Sequence, residues 1–139
     1  MDRINSIQAR VLYADTDKMN VAYYATYLRW FEAGRAHYMR MRDFPYKDVE
    51  KTGIQLPVIE AHCNYISPAR YDDVLDVRAQ IGELKGAQLR FEYEIERDGE
   101  LLATGYTKHA SINGDGRPVR LPEQLRSALL SQPKTDVKF

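Results

Sequence analysis

Asp15 and Asp17 stand in the run "YADTDKMNVAYY", where an apolar extended segment ends and an aromatic helical pattern is about to begin. A carboxylate beside a helix start has two uses. It can cap the helix, accepting hydrogen bonds from the free first-turn amides, where the positive end of the macrodipole favours its charge. It can also serve as nucleophile or general base while those same amides polarise a substrate carbonyl. Caps are the commoner case, yet "KMNVA" separates Asp17 from the regular helix pattern, which is too far for a cap. Asp17 therefore reads as a loop carboxylate near free amides, and Asp15 as the residue that holds the turn through backbone hydrogen bonds.

Other chemistry-bearing residues are sparse. The three histidines, His37, His62 and His109, show no metal-ligand spacing, and Cys63 is the only cysteine. No metal, disulfide or redox cofactor is expected from such a set. Cys63 reads as a small apolar filler, His37 as a structural or exposed helix residue, and His62 as a half-buried strand residue without a carboxylate partner. Glu60 shares the strand parity of His62; a solvated glutamate and a site carboxylate are both open for it. Lys85, in "ELKGAQLR", reads by itself as a solvated hairpin lysine.

These residues must be held by a small fold. The chain has 139 residues and a mass of 16.1 kDa, which fits one domain over 1–139. Basic and acidic residues number 20 each, so there is no global attraction to nucleic acid or to an anionic membrane. No apolar run approaches the ~20 residues of a membrane span, and "MDRINSIQAR" lacks the apolar core of a signal peptide. The expectation is a cytoplasmic protein.

From Asn5 to Ala14 the residues Ile7, Val11 and Tyr13 share one parity, which predicts a strand. Tyr27, Phe31, Gly34, Tyr38 and Met41 then recur at alternating spacings of four and three, predicting an amphipathic helix from about Tyr24 to Met41. Gly34 on the apolar stripe predicts a close backbone approach. A turn and short helix follow in "DFPYKDVEKTG", stopped by Gly53. "LPVIEAHCNYIS", "DVLDVRAQIGEL", "AQLRFEYEIERDG" and "ELLATGYTKHASI" read as four strands, with Asp98-Gly99 as a hairpin turn. Leu89, Phe91, Tyr93 and Ile95 alternate with Arg90, Glu92, Glu94 and Glu96, so the sheet is wet, or meets a polar partner, on one side. "LPEQLRSALL" predicts a short closing helix, and a polar tail from about 132 to 139 is expected to fray. One strand, one long helix and an antiparallel run of strands make an α+β domain.

"YADTD", then "VAYYATYLRWFEAGRAHYMR", then "LPVIEAHCNYISPARYDDVLDV" resembles the hot-dog-fold acyl-CoA thioesterases of the 4-hydroxybenzoyl-CoA thioesterase and YbgC-like group, over about Arg10 to Asn113. The resemblance implies an antiparallel sheet wrapped around one long helix, and hydrolysis of an acyl-CoA to a carboxylic acid and free coenzyme A. Coenzyme A enters only as part of the substrate, and no cofactor is implied. It places the catalytic carboxylate at Asp17, as nucleophile or general base, and the carbonyl-polarising backbone N–H at Tyr24. Glu60 falls where relatives often have a polar residue facing the site across a dimer interface. Lys85 falls where the hydroxybenzoyl branch carries a basic cluster over the nucleotide, with Arg90, Arg70 or Lys108 as replacements. This chain departs from relatives in having Asn20 where they usually carry glycine, and Tyr24 where many YbgC-like members carry histidine. The resemblance further implies a homodimer or homotetramer. An acyl carrier protein substrate and a non-catalytic acyl-CoA-binding module are the rival readings.

Overall fold

The computed structural model describes residues 3–134. Strand β1 (Ser6–Arg10) leads through a 3-10 turn (Tyr13–Asp15) to the long helix α1 (Thr26–Arg40) and the short α2 (Tyr46–Lys51). Four strands follow, β2 (Val58–Tyr65), β3 (Val74–Lys85), β4 (Gln88–Arg97) and β5 (Glu100–Ala110), before α3 (Glu123–Leu129). The predicted first strand is cut short at Arg10, because the Leu12 N–H turns into the Asp15 carboxylate instead of a ladder. The end of the expected tail, residues 135–139, lies outside the described residues.

All strand pairs are antiparallel, in the order β1-β3-β4-β5-β2. Alternation assigns the two faces. Leu75, Val77 and Ala79 of β3, Leu89, Phe91, Tyr93 and Ile95 of β4 and Ala103 of β5 turn inward and are buried. The helical stripe meets them: Tyr27, Phe31, Gly34 and Tyr38 are buried, and the Phe31 ring stacks on Tyr93 at 4.4 Å and 4°. Each such large side chain contributes about 1.5–3 kcal/mol on burial. A Cβ on Gly34 would stand 3.0 Å from Val77 Cγ1, which is the close approach the sequence predicts. At the β4–β5 turn Asp98 (φ 48) and Gly99 (φ 82) both adopt left-handed backbone, the requirement of a type I′ hairpin.

The outward face carries Arg78, Arg90, Glu92 and Glu94, paired as Arg78–Glu94 across β3 and β4 (3.1 Å) and Arg90–Glu92 along β4 (3.2 Å). The sheet thus has two distinct ends as well as two faces. One end gathers the exits of β1, β2 and β4, the start of β3 and the N-terminus of α1; the other holds the Lys85–Gln88 turn and the start of β2.

Candidate active site

The loop between β1 and α1 is built on Asp15, which is 7% exposed. Its Oδ2 accepts the Leu12 N–H (2.8 Å), its Oδ1 accepts an Arg29 guanidinium N–H (2.5 Å), and its carbonyl accepts the Tyr23 N–H (2.7 Å). One acid therefore ties the exit of β1 to the start of α1, which is the turn-holding role read from sequence. Thr16 and Ala22 form a β-bridge that closes a small loop around Asp17. The Asp17 N–H donates to Val21 O (3.0 Å), its carbonyl accepts from Asn20 N–H (3.0 Å), and its Oδ1 accepts the Met19 N–H (2.8 Å). Asn20 takes the left-handed backbone (φ 65) that glycine would adopt easily, and Asn is among the few other residues that tolerate it. Among the described residues no donor engages Asp17 Oδ2.

Helix α1 begins without a side-chain cap at Ala25. Among the described residues the N–H groups of Tyr24 and Ala25 have no acceptor, while Thr26 N–H bonds to Tyr23 O (2.9 Å). The first turn is steadied from outside the helix: Tyr65 at the end of β2 donates to Tyr24 O (2.7 Å), and Ala69 N–H donates to the Tyr27 hydroxyl (3.1 Å). Ala22 N–H reaches Ala69 O (2.8 Å), and Arg97 holds the same loop through Asp73 (2.7 Å) and Pro68 O (3.2 Å). Tyr23 and Tyr24 pack with ring centroids 4.6 Å apart. The Tyr23 phenol is pushed up, chiefly by the adjoining Tyr24 hydroxyl, with burial and the charge of Asp17 adding to it. A carboxylate with a free oxygen, next to an uncapped helix start, can attack or deprotonate on one side of a carbonyl group while N–H groups receive developing negative charge.

A groove of about 590 Å³ runs along α1 from Arg29 to Arg40, between the helix and the start of β2, with Ala33, Ala36, Leu56 and Phe91 among its walls. Beneath it lies a buried polar chain. Arg35 donates to the Tyr93 hydroxyl (3.4 Å), Tyr93 meets Thr107 (2.6 Å), Thr107 meets His109 Nε2 (2.8 Å), and His109 Nδ1 reaches Leu56 O (2.9 Å). A neutral His109 with its proton on Nδ1 satisfies every donor in that chain. Burial, above all, pushes its pKa down, which favours the same state.

The remaining residues read from sequence are dispersed. Glu60 lies on the outward face of β2, bonded by the Tyr106 hydroxyl and 4.0 Å from Lys108 Nζ, whereas Asp17 sits at the helix start on the other side of the sheet. Within one chain the two carboxylates do not meet. His62, expected half-buried, is instead exposed, its ring stacked on Tyr106 at 5.3 Å, because its parity, shared with Glu60, turns it to the outward face opposite α1. His37 is buried and structural, with Nε2 at 3.1 Å from Ile4 O, and Cys63 is half-buried with its thiol pushed up by burial.

Arg70 is exposed on the loop beside Ala69, at the Asp17 end. Lys85 is exposed at the opposite end, where Arg90 pairs with Lys108 in register and lies over the Tyr106 ring at 4.4 Å. The 12 residues of β3 span ~40 Å, so the basic residues proposed as alternatives for one nucleotide belong to two separate places in the chain. Hairpin geometry separated them. Among the described residues no cluster of metal ligands occurs, and no helix is long and apolar enough to cross a membrane. Sequence reasoning missed Arg29, Tyr65 and the Arg35–His109 chain. The parity of Tyr65 with Cys63 was a signal that it faces the helix; nothing local marks Arg29 as the partner of Asp15.

Residues 11–129 match the family model of the thioesterase-like superfamily. The acyl-CoA thioesterase YbgC of Haemophilus influenzae is 32% identical over 130 residues, covering 92% of this chain and 96% of that protein. Among solved structures, a hypothetical protein from Thermus thermophilus superposes with a TM-score of 0.85 at 37% identity, over 89% of this chain and 95% of that one. A DHNA-CoA thioesterase from Staphylococcus aureus does so with a TM-score of 0.79 at 35% identity, over 84% and 79% of the two chains.

Proposed function

The chain belongs to the thioesterase-like superfamily, and from that premise we propose that it hydrolyses acyl-CoA thioesters to a carboxylic acid and free coenzyme A, with Asp17 as the catalytic carboxylate. One observation carries the assignment of the residue. Among the described residues Asp17 keeps an oxygen without a donor, in a loop whose backbone bonds close around it, beside a helix whose first N–H groups have no acceptor. A loop that spends its backbone bonds on holding one free carboxylate oxygen is organised for chemistry more than for capping.

In the reaction the Tyr24 N–H takes the developing negative charge on the thioester oxygen. Asp17 then acts in one of two ways. It attacks the carbonyl carbon, expelling the thiolate and forming an anhydride that water cleaves, or it removes a proton from a water that attacks the same carbon. Both routes release one carboxylic acid and one thiol per water consumed. Thiolate is a good leaving group, so little acid catalysis is needed and a sparse site suffices.

The assembly we propose is a dimer through β2, and pairs of such dimers give the tetramer. Among the described residues the outer edge of β2 has no partner strand, and Val58, Ile59 and Tyr65 along it are 46%, 53% and 47% exposed. Two-fold antiparallel pairing of these edges sets the basic end of one copy beside the Asp17 end of the other. That arrangement supplies cations for the coenzyme A phosphates that one chain keeps at the far end of its sheet, and any part for Glu60 comes through it. A cytoplasmic location follows from the substrate. The separation of Lys85 and Arg90 from Asp17 within one chain favours, as the second reading, a carrier-protein thioester as substrate.

Release of free thiol from a panel of short, long and aromatic acyl-CoAs tests the assignment, with Asp17→Asn compared at equal folded concentration. Turnover in the wild type that falls at least about a hundredfold in the variant supports thioesterase activity and the role of Asp17 together. Equal activity in both makes Asp17 structural. No turnover in either moves carrier-protein substrates and a binding module forward.

A further inference from the structure

We propose that Tyr65 is a positioning residue for the thioester carbonyl, holding the Tyr24–Ala25 peptide that opens α1. The proposal rests on the thioesterase reading above.

In a trans peptide the carbonyl and the N–H point in opposite directions, so fixing one fixes the other. The unit between Tyr23 and Tyr24 is fixed by the helix itself, because Tyr23 O accepts the Thr26 N–H (2.9 Å) and the Tyr24 N–H is turned away. The next unit has no such support. Leu28 N–H bonds to Ala25 O (3.2 Å), which leaves Tyr24 O outside the helix ladder. Its partner is the Tyr65 hydroxyl at 2.7 Å, from a strand 41 residues further along the chain. Without that donor the first peptide of α1 is free to swing, and with it the Ala25 N–H, which among the described residues has no acceptor and stands next to the Tyr24 N–H as a second donor to the thioester oxygen.

Tyr65 is itself well held. Its ring meets Tyr27 edge-on at 4.9 Å and 89°, and Tyr27 is anchored by the Ala69 N–H at 3.1 Å. Burial first, and the neighbouring Cys63 second, push its phenol up to about 12, so it keeps its proton and remains a donor through neutral and moderately alkaline pH. The helix start has no side-chain cap at Ala25, so this hydroxyl does from β2 what a local capping residue cannot do without covering the N–H groups.

The test separates orientation of the carbonyl site from general support. Tyr65→Phe is compared with the wild type in steady-state hydrolysis and in inhibition by two unreactive coenzyme A analogues. One is a ketone that keeps the carbonyl and replaces sulfur by CH2; the other is a thioether that keeps sulfur and lacks the carbonyl oxygen. The expected result is a fall in kcat/KM of about tenfold. The Ki of the ketone should rise about tenfold while that of the thioether stays unchanged. Tyr65→Leu, which keeps an apolar side chain against Tyr27, should repeat the pattern and covers the case in which the phenylalanine variant fails to fold. An unchanged ketone-to-thioether ratio in a wild type that turns over overturns the inference and leaves the thioesterase reading standing. A wild type without turnover on any thioester overturns both.

Discussion

The Asp15 carboxylate lies 2.5 Å from the Arg29 guanidinium and accepts the Leu12 N–H with its other oxygen, so a single buried acid joins the strand exit to the helix that flanks the candidate site. Asp17, two residues on, keeps one oxygen without a donor among the described residues. Of the two aspartates of one turn, Asp15 is thus committed to support, and Asp17 has the free oxygen that its proposed catalytic role requires.

That division predicts opposite mutant phenotypes. Asp15→Ala leaves a backbone N–H without its acceptor and should cost about 1–3 kcal/mol in urea unfolding. Much of the ion pair is solvent-screened, since the Arg29 side chain is 57% exposed, and adds little to that figure. Asp17→Asn should leave stability within about 0.5 kcal/mol while abolishing most turnover. Unfolding curves of both variants beside their activities check it; a strongly destabilised Asp17→Asn would return Asp17 to a structural role.

Acid should weaken the fold in two steps. His109 and His37 are buried, and burial pushes both pKa values below the ordinary 6.5. The unfolded chain then binds protons that the folded one refuses, so their contribution is complete above about pH 6.5 and declines as the pH falls below it. Asp73 acts lower. Burial works to raise its carboxyl, but the Arg97 guanidinium and the Arg70 N–H outweigh that and hold it below 3.8. Its contribution is present above about pH 4 and is lost on further acidification. Thermal melts from pH 8 to pH 3 show both steps, and His109→Gln should flatten the upper one.

The edge of β2 supplies a test of assembly. Ile59 is 53% exposed there, and Ile59→Lys places a charge on the strand without touching the core. Sedimentation should show a monomer that keeps its circular dichroism and loses activity. A variant that stays dimeric would mean that the chain pairs through another surface.

Gly105 is required for packing and not for a turn. A Cβ there would collide with the His62 carbonyl and the Phe31 ring. Gly105→Ala should cost about 1–3 kcal/mol by forcing β2 or the Phe31 ring outward, read as a lowered urea midpoint.

Much of this molecule was legible in the order of its residues, because the signals concerned are local. The spacing of Tyr27, Phe31, Gly34 and Tyr38 specifies one buried helical stripe, and alternation from Leu89 to Ile95 specifies a two-faced strand. Asp98-Gly99 specifies its hairpin through left-handed backbone. The distance of Asp17 from the helix pattern was likewise enough to set it apart from a cap. Only the tertiary structure decided which residues meet. Strand order made β2 an edge, and parity left His62 on its outward face. The length of the β3–β4 hairpin carried Lys85 and Arg90 away from Arg70, and parity turned Glu60 to the face opposite α1. Arg29 joined Asp15, and Tyr65 joined Tyr24, through contacts between segments far apart in the chain. Side-chain periodicity is a property of neighbours along the backbone, whereas these pairings depend on how sheet and helix close around a common core, which no local spacing encodes.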